Sequence, residues 1–453
     1  MLRIFQSDSA ANAKGYYTSG LEDAHDYYVA GAATSGLWFG KAAEMLGLSG
    51  EVTQEQFHLL CDNHRPDTFE KLNPRENTKR KIGYDMTFSA PKSVSILQGI
   101  VGEKNVILIF QQAVRETMIY LEQDAHVRVR KNGLDETRRT GNLVWGEFTH
   151  FESRPIDGIS DVNLHCHCYC FNTSYDAEEG RFKAGEFFNI KRDAPYYEAI
   201  FHSRLAQGLK SLGYQIENKA YGFEVAGIGD ENIKRFSRRA TEIEELAERL
   251  GIAGNDKAKD KLASLTRKSK KMRFKGAEKL AEWRSRLDWD ALDLEQPPTK
   301  TVKISPAFAV QLAIENMFER KSVGSFRRLI ACAIQNSLGS CTVNEIFTEI
   351  RGHRDLVVTE KNGEFLATTH EIIAEEKAIL EYLTKTASSQ MTIDPWYQTK
   401  VQTLDDDQRD AVEAILKTFD GVIAIEGRAG TGKTTLLREA VLAMHAAGQN
   451  VFT

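Results

Sequence analysis

The segment Leu164-His165-Cys166-His167-Cys168-Tyr169-Cys170-Phe171 carries the residues best suited to chemistry. Side chains alternate along a strand, so His165 and His167 would share one face while Cys166, Cys168 and Cys170 share the other. Reduced cysteine behaves as a small hydrophobe. The cysteine face is therefore expected on a core and the histidine face open. Two adjacent imidazoles offer one edge of a divalent-ion site. His150 ends a preceding β-rich run, Asn142–His150, and would join them if the two strands are antiparallel neighbours. Three neutral nitrogens leave coordination positions for a substrate oxygen, as a Lewis-acid metal requires. Imidazole suits several ions, so Mg2+, Mn2+ and Zn2+ are not separated by this ligand set. Two plainer readings stand beside it. A mixed His/Cys structural zinc site is disfavoured by the opposed faces, and two surface histidines need have no ligand role.

Near the start of the chain are two tyrosine pairs, Tyr16-Tyr17 and Tyr27-Tyr28, in a polar setting. A phenol can act as a covalent nucleophile once a metal or base helps remove its proton. Two candidates would permit two successive transesterifications; ordinary packing tyrosines are the competing reading. Asp85 lies on the probable strand Gly83–Ser89, before a helix opened by Ser89-Ala90-Pro91-Lys92-Ser93. It could orient a histidine or take a tyrosine proton, or simply cap or face solvent.

Far downstream, Gly427-Arg428-Ala429-Gly430-Thr431-Gly432-Lys433-Thr434 has the Walker A pattern between an apolar run, Val422–Ile425, and a helical one. In such loops backbone N–H groups from positions such as Gly427, Gly430 and Gly432 cradle phosphates. Lys433 would reach the terminal phosphates and Thr434 would hold Mg2+. Gln408, upstream in Leu404-Asp405-Asp406-Asp407-Gln408-Arg409, is a further candidate for the nucleotide site. No Walker B acid, arginine finger or second motor domain follows, so ATP-Mg binding is conceivable here but ATPase or helicase turnover is not expected.

Apolar residues recur at helical spacing from Asn105 to Gln123 and from Tyr196 to Leu212. Pro297-Pro298 interrupts the chain, since two prolines cannot continue a helix. The divisions read from the sequence are a domain over 1–292 that holds the histidine and tyrosine clusters, a linker over 293–303, a helical leading segment over 304–400, and the start of a P-loop domain over 401–453. The fold class expected is α+β: an antiparallel sheet with packed helices, then a helical and mixed segment, then an incomplete α/β nucleotide-binding domain.

With 42% hydrophobic and 27% charged residues, each domain can bury a core. No apolar run is long enough to span a membrane and the N-terminus lacks a signal-peptide pattern, so a cytoplasmic protein without membrane insertion is expected. The six cysteines do not suggest a disulfide framework. A formal net charge of −5 neither announces nor excludes nucleic acid. Locally, Lys257–Arg286 holds twelve Lys/Arg against three acids. This is a solvated basic face or a phosphate clamp, with Lys268, Lys270, Lys271 and Arg273 as candidate DNA contacts beside Lys92 and Arg154.

Taken together these residues resemble the MobF family of conjugative relaxases, the TrwC/TraI type of relaxase–helicase. The resemblance rests on Tyr16-Tyr17 and Tyr27-Tyr28, on Trp38-Phe39-Gly40-Lys41-Ala42-Ala43-Glu44, and on Asp85-Met86-Thr87-Phe88-Ser89-Ala90-Pro91-Lys92-Ser93-Val94-Ser95. Thr140–Val144, His150 with Ser153-Arg154, and His165 with His167 follow in the family's order. It implies a histidine–hydrophobe–histidine nuclease with Tyr16 as principal nucleophile, Tyr27 in later strand transfer and Asp85 assisting. It also implies a site- and strand-specific enzyme that nicks a transfer origin through a 5′-phosphotyrosine and later rejoins the strand. The implied partners are single-stranded and hairpin DNA, relaxosome accessory proteins and a type IV secretion coupling protein. A rolling-circle replication initiator, or a non-catalytic single-strand-binding remnant, would share part of this pattern. The His150–His165 spacer is longer than usual for the family, and Cys166 and Cys168 replace its commoner Thr and Ala.

Overall fold

In the computed structural model, the described residues are 1–11, 13–15, 36–73, 80–131, 133–220, 222–252, 258–259, 262, 274, 276–295, 303–361, 363–399 and 401–452. They form two compact units, Met1–Arg354 with Val358–Ala367, and Asp355–Val357 with Thr368–Thr453.

The first unit is built on a five-stranded antiparallel sheet. Its strands are β1 (Leu2–Ser7), β2 (Leu37–Phe39), β3 (Gly83–Ser89), β6 (Trp145–Glu152) and β7 (Val162–Phe171), in the order β1-β3-β7-β6-β2. Between β3 and β6 the chain makes a separate two-stranded ribbon, β4 (His126–Lys131) and β5 (Leu134–Arg139). β7 is central, and both its neighbours pair with it from His165 to Cys170. Its alternation of apolar and polar residues is read out directly. Val162, Leu164, Cys166 and Cys168 are buried, while Asn163, His165 and His167 are only partly covered.

Helices Asn105–Gln123 and Ala194–Ser211 cover the cysteine face. Phe88 of β3 meets Phe201 at 5.2 Å, and Phe201 meets Phe110 at 5.8 Å. The opposite face changes character along its length. At one end Phe148, Tyr169 and Phe171 are roofed by Phe57 of the helix Gln54–Cys61, in a cluster that includes Trp38 and Ala13. At the other end stand the histidines, beyond that apolar roof.

β6 starts at Trp145, three residues after the expected beginning of the strand. Asn142 is the reason: its side chain donates to Thr140 O and Tyr175 O and accepts from Tyr175 N, holding the chain in a turn after Gly141 (φ 65°).

Helices Pro306–Phe318, Phe326–Asn336 and Val343–Gly352 belong to this first unit, although they lie beyond the proline-rich stretch read as a linker. Phe326–Asn336 and Val343–Gly352 pack on helix Ala194–Ser211, and Pro306–Phe318 packs on those two helices. Arg327 supplies the polar tie, donating to Asp193 Oδ2 at 3.1 Å and Tyr197 Oη at 2.8 Å and pairing with Asp124 at 2.7 Å.

In the second unit, helix Asp406–Lys417 packs on Lys433–Ala446 through Leu404, Val412, Ile415, Leu416, Leu436 and Ala440. The run Val422–Ile425, expected as the strand of a strand–loop–helix, is not a strand; Val422 and Ile423 are 43% and 40% exposed. A central parallel strand is held by neighbours on both sides, and among the described residues none pairs with this run.

Candidate active site

β3, β6 and β7 place the polar end of the open face. His150 of β6 lies directly opposite His165 of β7, and Phe148 opposite His167. On the other side Thr87 of β3 faces His167, and Ser89 faces His165. The antiparallel register therefore collects three imidazoles from two strands. Their ring centroids are 5.3 Å apart for His150–His165, 5.3 Å for His150–His167 and 5.1 Å for His165–His167.

Two of the rings are braced from behind. His167 Nδ1 lies 3.0 Å from both carboxylate oxygens of Asp85 and 3.0 Å from Thr87 Oγ1. Asp85 is two residues before Thr87 on β3, so both project onto the histidine face. His165 Nδ1 lies 2.9 Å from the carbonyl oxygen of Asn163. With these Nδ1 atoms engaged, the Nε2 atoms of His165 and His167 remain as ligating nitrogens, the usual division of labour in a metal-binding imidazole. Burial, reinforced by neighbouring His167, pushes the His165 pKa down to about 3, so this ring stays neutral well below neutrality. A neutral ring is the form that binds a metal, and imidazole donors have the chemistry to hold a divalent ion.

The reverse face of the same strands holds a second group of ligand-type atoms, Glu147, Cys166 and Cys168. Glu147 is already held by Arg115, whose Nη2 donates to Oε1 at 2.8 Å and whose Nε lies 3.1 Å from both oxygens. Burial raises the pKa of both thiols. These residues complete the core as a neutral thiol pair beside a satisfied ion pair, in keeping with the expected apolar cysteine face.

Of the remaining residues singled out from sequence, Tyr16, Tyr17, Tyr27 and Tyr28 lie outside the described residues, as do Lys268, Lys270, Lys271 and Arg273. Arg154 is exposed on the connection between β6 and β7. Lys92, considered as a DNA contact, turns its ammonium inward: Nζ donates to Val162 O at 2.8 Å and to Asn163 Oδ1 at 3.4 Å. Burial lowers its pKa to about 8, opposed by Asp161 and Glu224. Thr87 and Asn163 were not singled out from sequence. Thr87 carries a signal, being two residues from Asp85 on the same strand face. Asn163 carries the same period-two relation to His165.

In the second unit Gly430 (φ 83°) and Gly432 (φ 73°) take left-handed backbone that favours glycine. Gly432 caps the helix that begins at Lys433 and carries Thr434 in its first turn. A Cβ at Gly432 would collide with the Gln408 amide at 2.5 Å. Gln408 Nε2 donates to Thr431 O at 2.9 Å, and Lys433 Nζ reaches Gly427 O at 2.5 Å and Arg428 O at 2.9 Å. Gln408 and the glycine loop are thus one local assembly.

An antiparallel sheet that presents a histidine–hydrophobe–histidine pair, a third histidine opposite it and a carboxylate behind is the arrangement of the histidine–hydrophobe–histidine nuclease class. The TrwC relaxase family model matches residues 10–289, more than half of the chain, and the chain belongs to that family. An AAA domain model matches residues 403–453. The multifunctional conjugation protein TraI of Escherichia coli strain K12 is 30% identical over 357 residues, covering 73% of this chain and 19% of that protein. A second Escherichia coli TraI is 33% identical over 304 residues, covering 65% of this chain and 16% of its own length. The chain therefore spans less than a fifth of these relatives.

Among solved structures, the conjugative relaxase TrwC in complex with oriT DNA, copper-bound, aligns with a TM-score of 0.59 at 31% identity. It covers 65% of this chain and all of its own. TrwC with a 27-mer comprising the recognition hairpin and cleavage site aligns at 0.56 and 30% identity, with the same coverage. The first unit thus contains an antiparallel-sheet domain of the relaxase family, and an AAA-like segment follows later in the chain.

Proposed function

We propose that this chain is a metal-dependent DNA relaxase that nicks and rejoins one strand at a conjugative transfer origin. The convergence of His150, His165 and His167 on the open end of the sheet carries this reading. A divalent ion held by these three residues would supply Lewis-acid charge to the non-bridging oxygens of the scissile phosphate. The three histidines do so without adding carboxylates beside a polyanion. Asp85 fixes His167 by accepting its Nδ1–H, which favours an orienting role over removal of a tyrosine proton.

Tyr16 is the proposed first nucleophile. Ala13, three residues before it, packs in the aromatic cluster that borders the histidines. Tyr16, first of its pair, aligns with the principal nucleophile of the family, which supports this role. Its phenol oxygen would form the Tyr–O–P bond as the P–O3′ bond breaks. The phenolic proton passes to solvent or base, and the leaving oxygen becomes a 3′-hydroxyl. Bond energy is conserved in the 5′-phosphotyrosine, so the step can be reversed to rejoin the strand. Tyr27 would serve a second transfer, with Tyr17 and Tyr28 as neighbouring alternatives.

The DNA partner is proposed as an origin hairpin with flanking single strand, as in the TrwC complexes. Accessory relaxosome proteins and a type IV secretion coupling protein extend that proposal. Two observations bear on compartment. No helix among the described residues is long and apolar enough to cross a membrane. All six cysteines are free, which supports a reducing cytoplasm. The loop from Gly427 to Thr434 is proposed to bind ATP-Mg.

The test is mass spectrometry of the peptide trapped on a cognate single-stranded oligonucleotide. The adduct is expected on Tyr16, to vanish in Tyr16→Phe with DNA binding intact, and to persist in Tyr27→Phe. An adduct on Tyr27 or Tyr28 in the wild type would reverse the roles. Cleavage by His165→Ala in EDTA at the wild-type rate would refute the metal mechanism.

A further inference from the structure

The opening of β7 is the least regular part of the site. β6 and β7 shift register between His150 and Glu152, so the ladder that aligns the rest of the two strands is interrupted beside the His150–His165 pair. From the other side, the helix Lys92–Ile96 and the residues before it hold this opening. Ala90 N donates to Leu164 O at 3.0 Å, and Leu164 N donates to Ser95 Oγ at 2.9 Å. Lys92 adds the one charged tie of this set, to Val162 O and Asn163 Oδ1. Asn163 in turn braces His165, whose Nδ1–H donates to the Asn163 carbonyl oxygen at 2.9 Å.

We propose that Lys92 is a positioning residue for the metal centre, fixing Val162 and Asn163 and, through Asn163, the orientation of the His165 ring. This rests on the three-histidine reading of the site. It also accounts for the lysine in the Ser-Ala-Pro-Lys-Ser block without a phosphate contact, since the ammonium is turned away from solvent.

Two consequences of removing this charge have opposite signs, and that makes the proposal testable. By Coulomb's law a nearby buried cation repels a bound dication, so loss of charge alone would tighten metal binding. Loss of the clasp frees Asn163 and lets the His165 ring turn. Outer partners of metal-bound histidines are typically worth 10–100-fold in affinity. Positioning therefore predicts weaker binding and electrostatics predicts stronger binding.

The experiment titrates the full chain with Co2+, reading affinity and the visible spectrum of the bound ion, with circular dichroism as the folding control. Lys92→Met is expected to weaken Co2+ binding by about tenfold and to alter the spectrum, as the third imidazole is released. Lys92→Arg, which can still donate to both oxygens, is expected to recover most of the affinity. If Lys92→Met does not fold, Asn163→Ala removes only the amide half of the clasp and is expected to show a smaller loss with the same spectral change. Wild-type or tighter binding with an unchanged spectrum in the folded variant overturns the proposal. His165→Ala, measured in parallel, separates the two levels. If it loses Co2+ while Lys92→Met binds as wild type, only the positioning role falls. If it binds Co2+ like wild type, the three-histidine reading falls and the role of Lys92 with it.

Discussion

His165 lies against His167 and His150 on a face whose reverse is fully packed, and its protonation is set by that environment. From sequence alone, metal binding would weaken as pH falls toward the ordinary histidine pKa of about 6.5. The structure moves that expectation, because burial holds His165 neutral to about pH 3. The unfolded chain takes up a proton near 6.5 and the folded site does not. His165 therefore makes stability fall as pH drops through the window from about 6.5 to 3. Selective ring-nitrogen NMR of the metal-free chain should find His165 still neutral at pH 5. Protonation of that ring near pH 6.5 would contradict the packing around it. Asp85→Asn keeps the shape of the partner to His167 Nδ1 but removes its charge. Metal affinity is expected to fall about 10–100-fold with hairpin DNA binding retained, measured by calorimetry and by filter binding.

Among the elements, β7 bears the most on function. Its period of two separates ligands from core, its central place in the sheet fixes its register, and its two ends face different surroundings. At the aromatic end the helix Gln54–Cys61 closes the face. Its Phe57 is fully buried against Phe171 at 4.9 Å and Tyr169 at 5.2 Å. Phe57→Ala is expected to destabilise the unit by about 3–5 kcal/mol, read as a lower urea midpoint. Because the aromatic cluster also borders His167 through Phe148, the same variant should weaken metal binding under native conditions. A stability loss with unchanged metal affinity would show that the two ends of the face are independent.

Across the whole chain, the first unit reaches beyond the family-matched 10–289 to include three more helices. Arg327 ties them to helix Ala194–Ser211, its side chain only 16% exposed between Asp124 and Asp193. Removing one partner from such a pair leaves the others buried and uncompensated, at a cost of about 3–5 kcal/mol. Arg327→Met should therefore lower the stability of the relaxase unit itself in the full chain. Hydrogen exchange should show the change in helices 194–211 and 326–336. If exchange rises only in 306–352, the block is an appendage and not part of the unit.

The sequence by itself determined what depends on local periodicity and backbone chemistry. His165 and His167 share a face because strand side chains alternate. Cys166, Cys168 and Cys170 fill the core because thiols are apolar when reduced, and the helical pattern after the glycine loop is the helix that opens at Lys433. Helix Asn105–Gln123 was legible for the same reason. The tertiary structure decided everything that depends on which segments become neighbours. His150 reaches the pair only through the β6–β7 register, and Thr87 and Asp85 reach His167 only because β3 lies on the other side of β7. Lys92 looked like a surface cation until the opening of β7 was seen to supply its acceptors. The apolar run at 422–425 had the composition of a strand, but a strand exists only where another chain segment offers hydrogen bonds. Periodicity specifies which way a side chain points relative to its own neighbours; only packing specifies what it meets there.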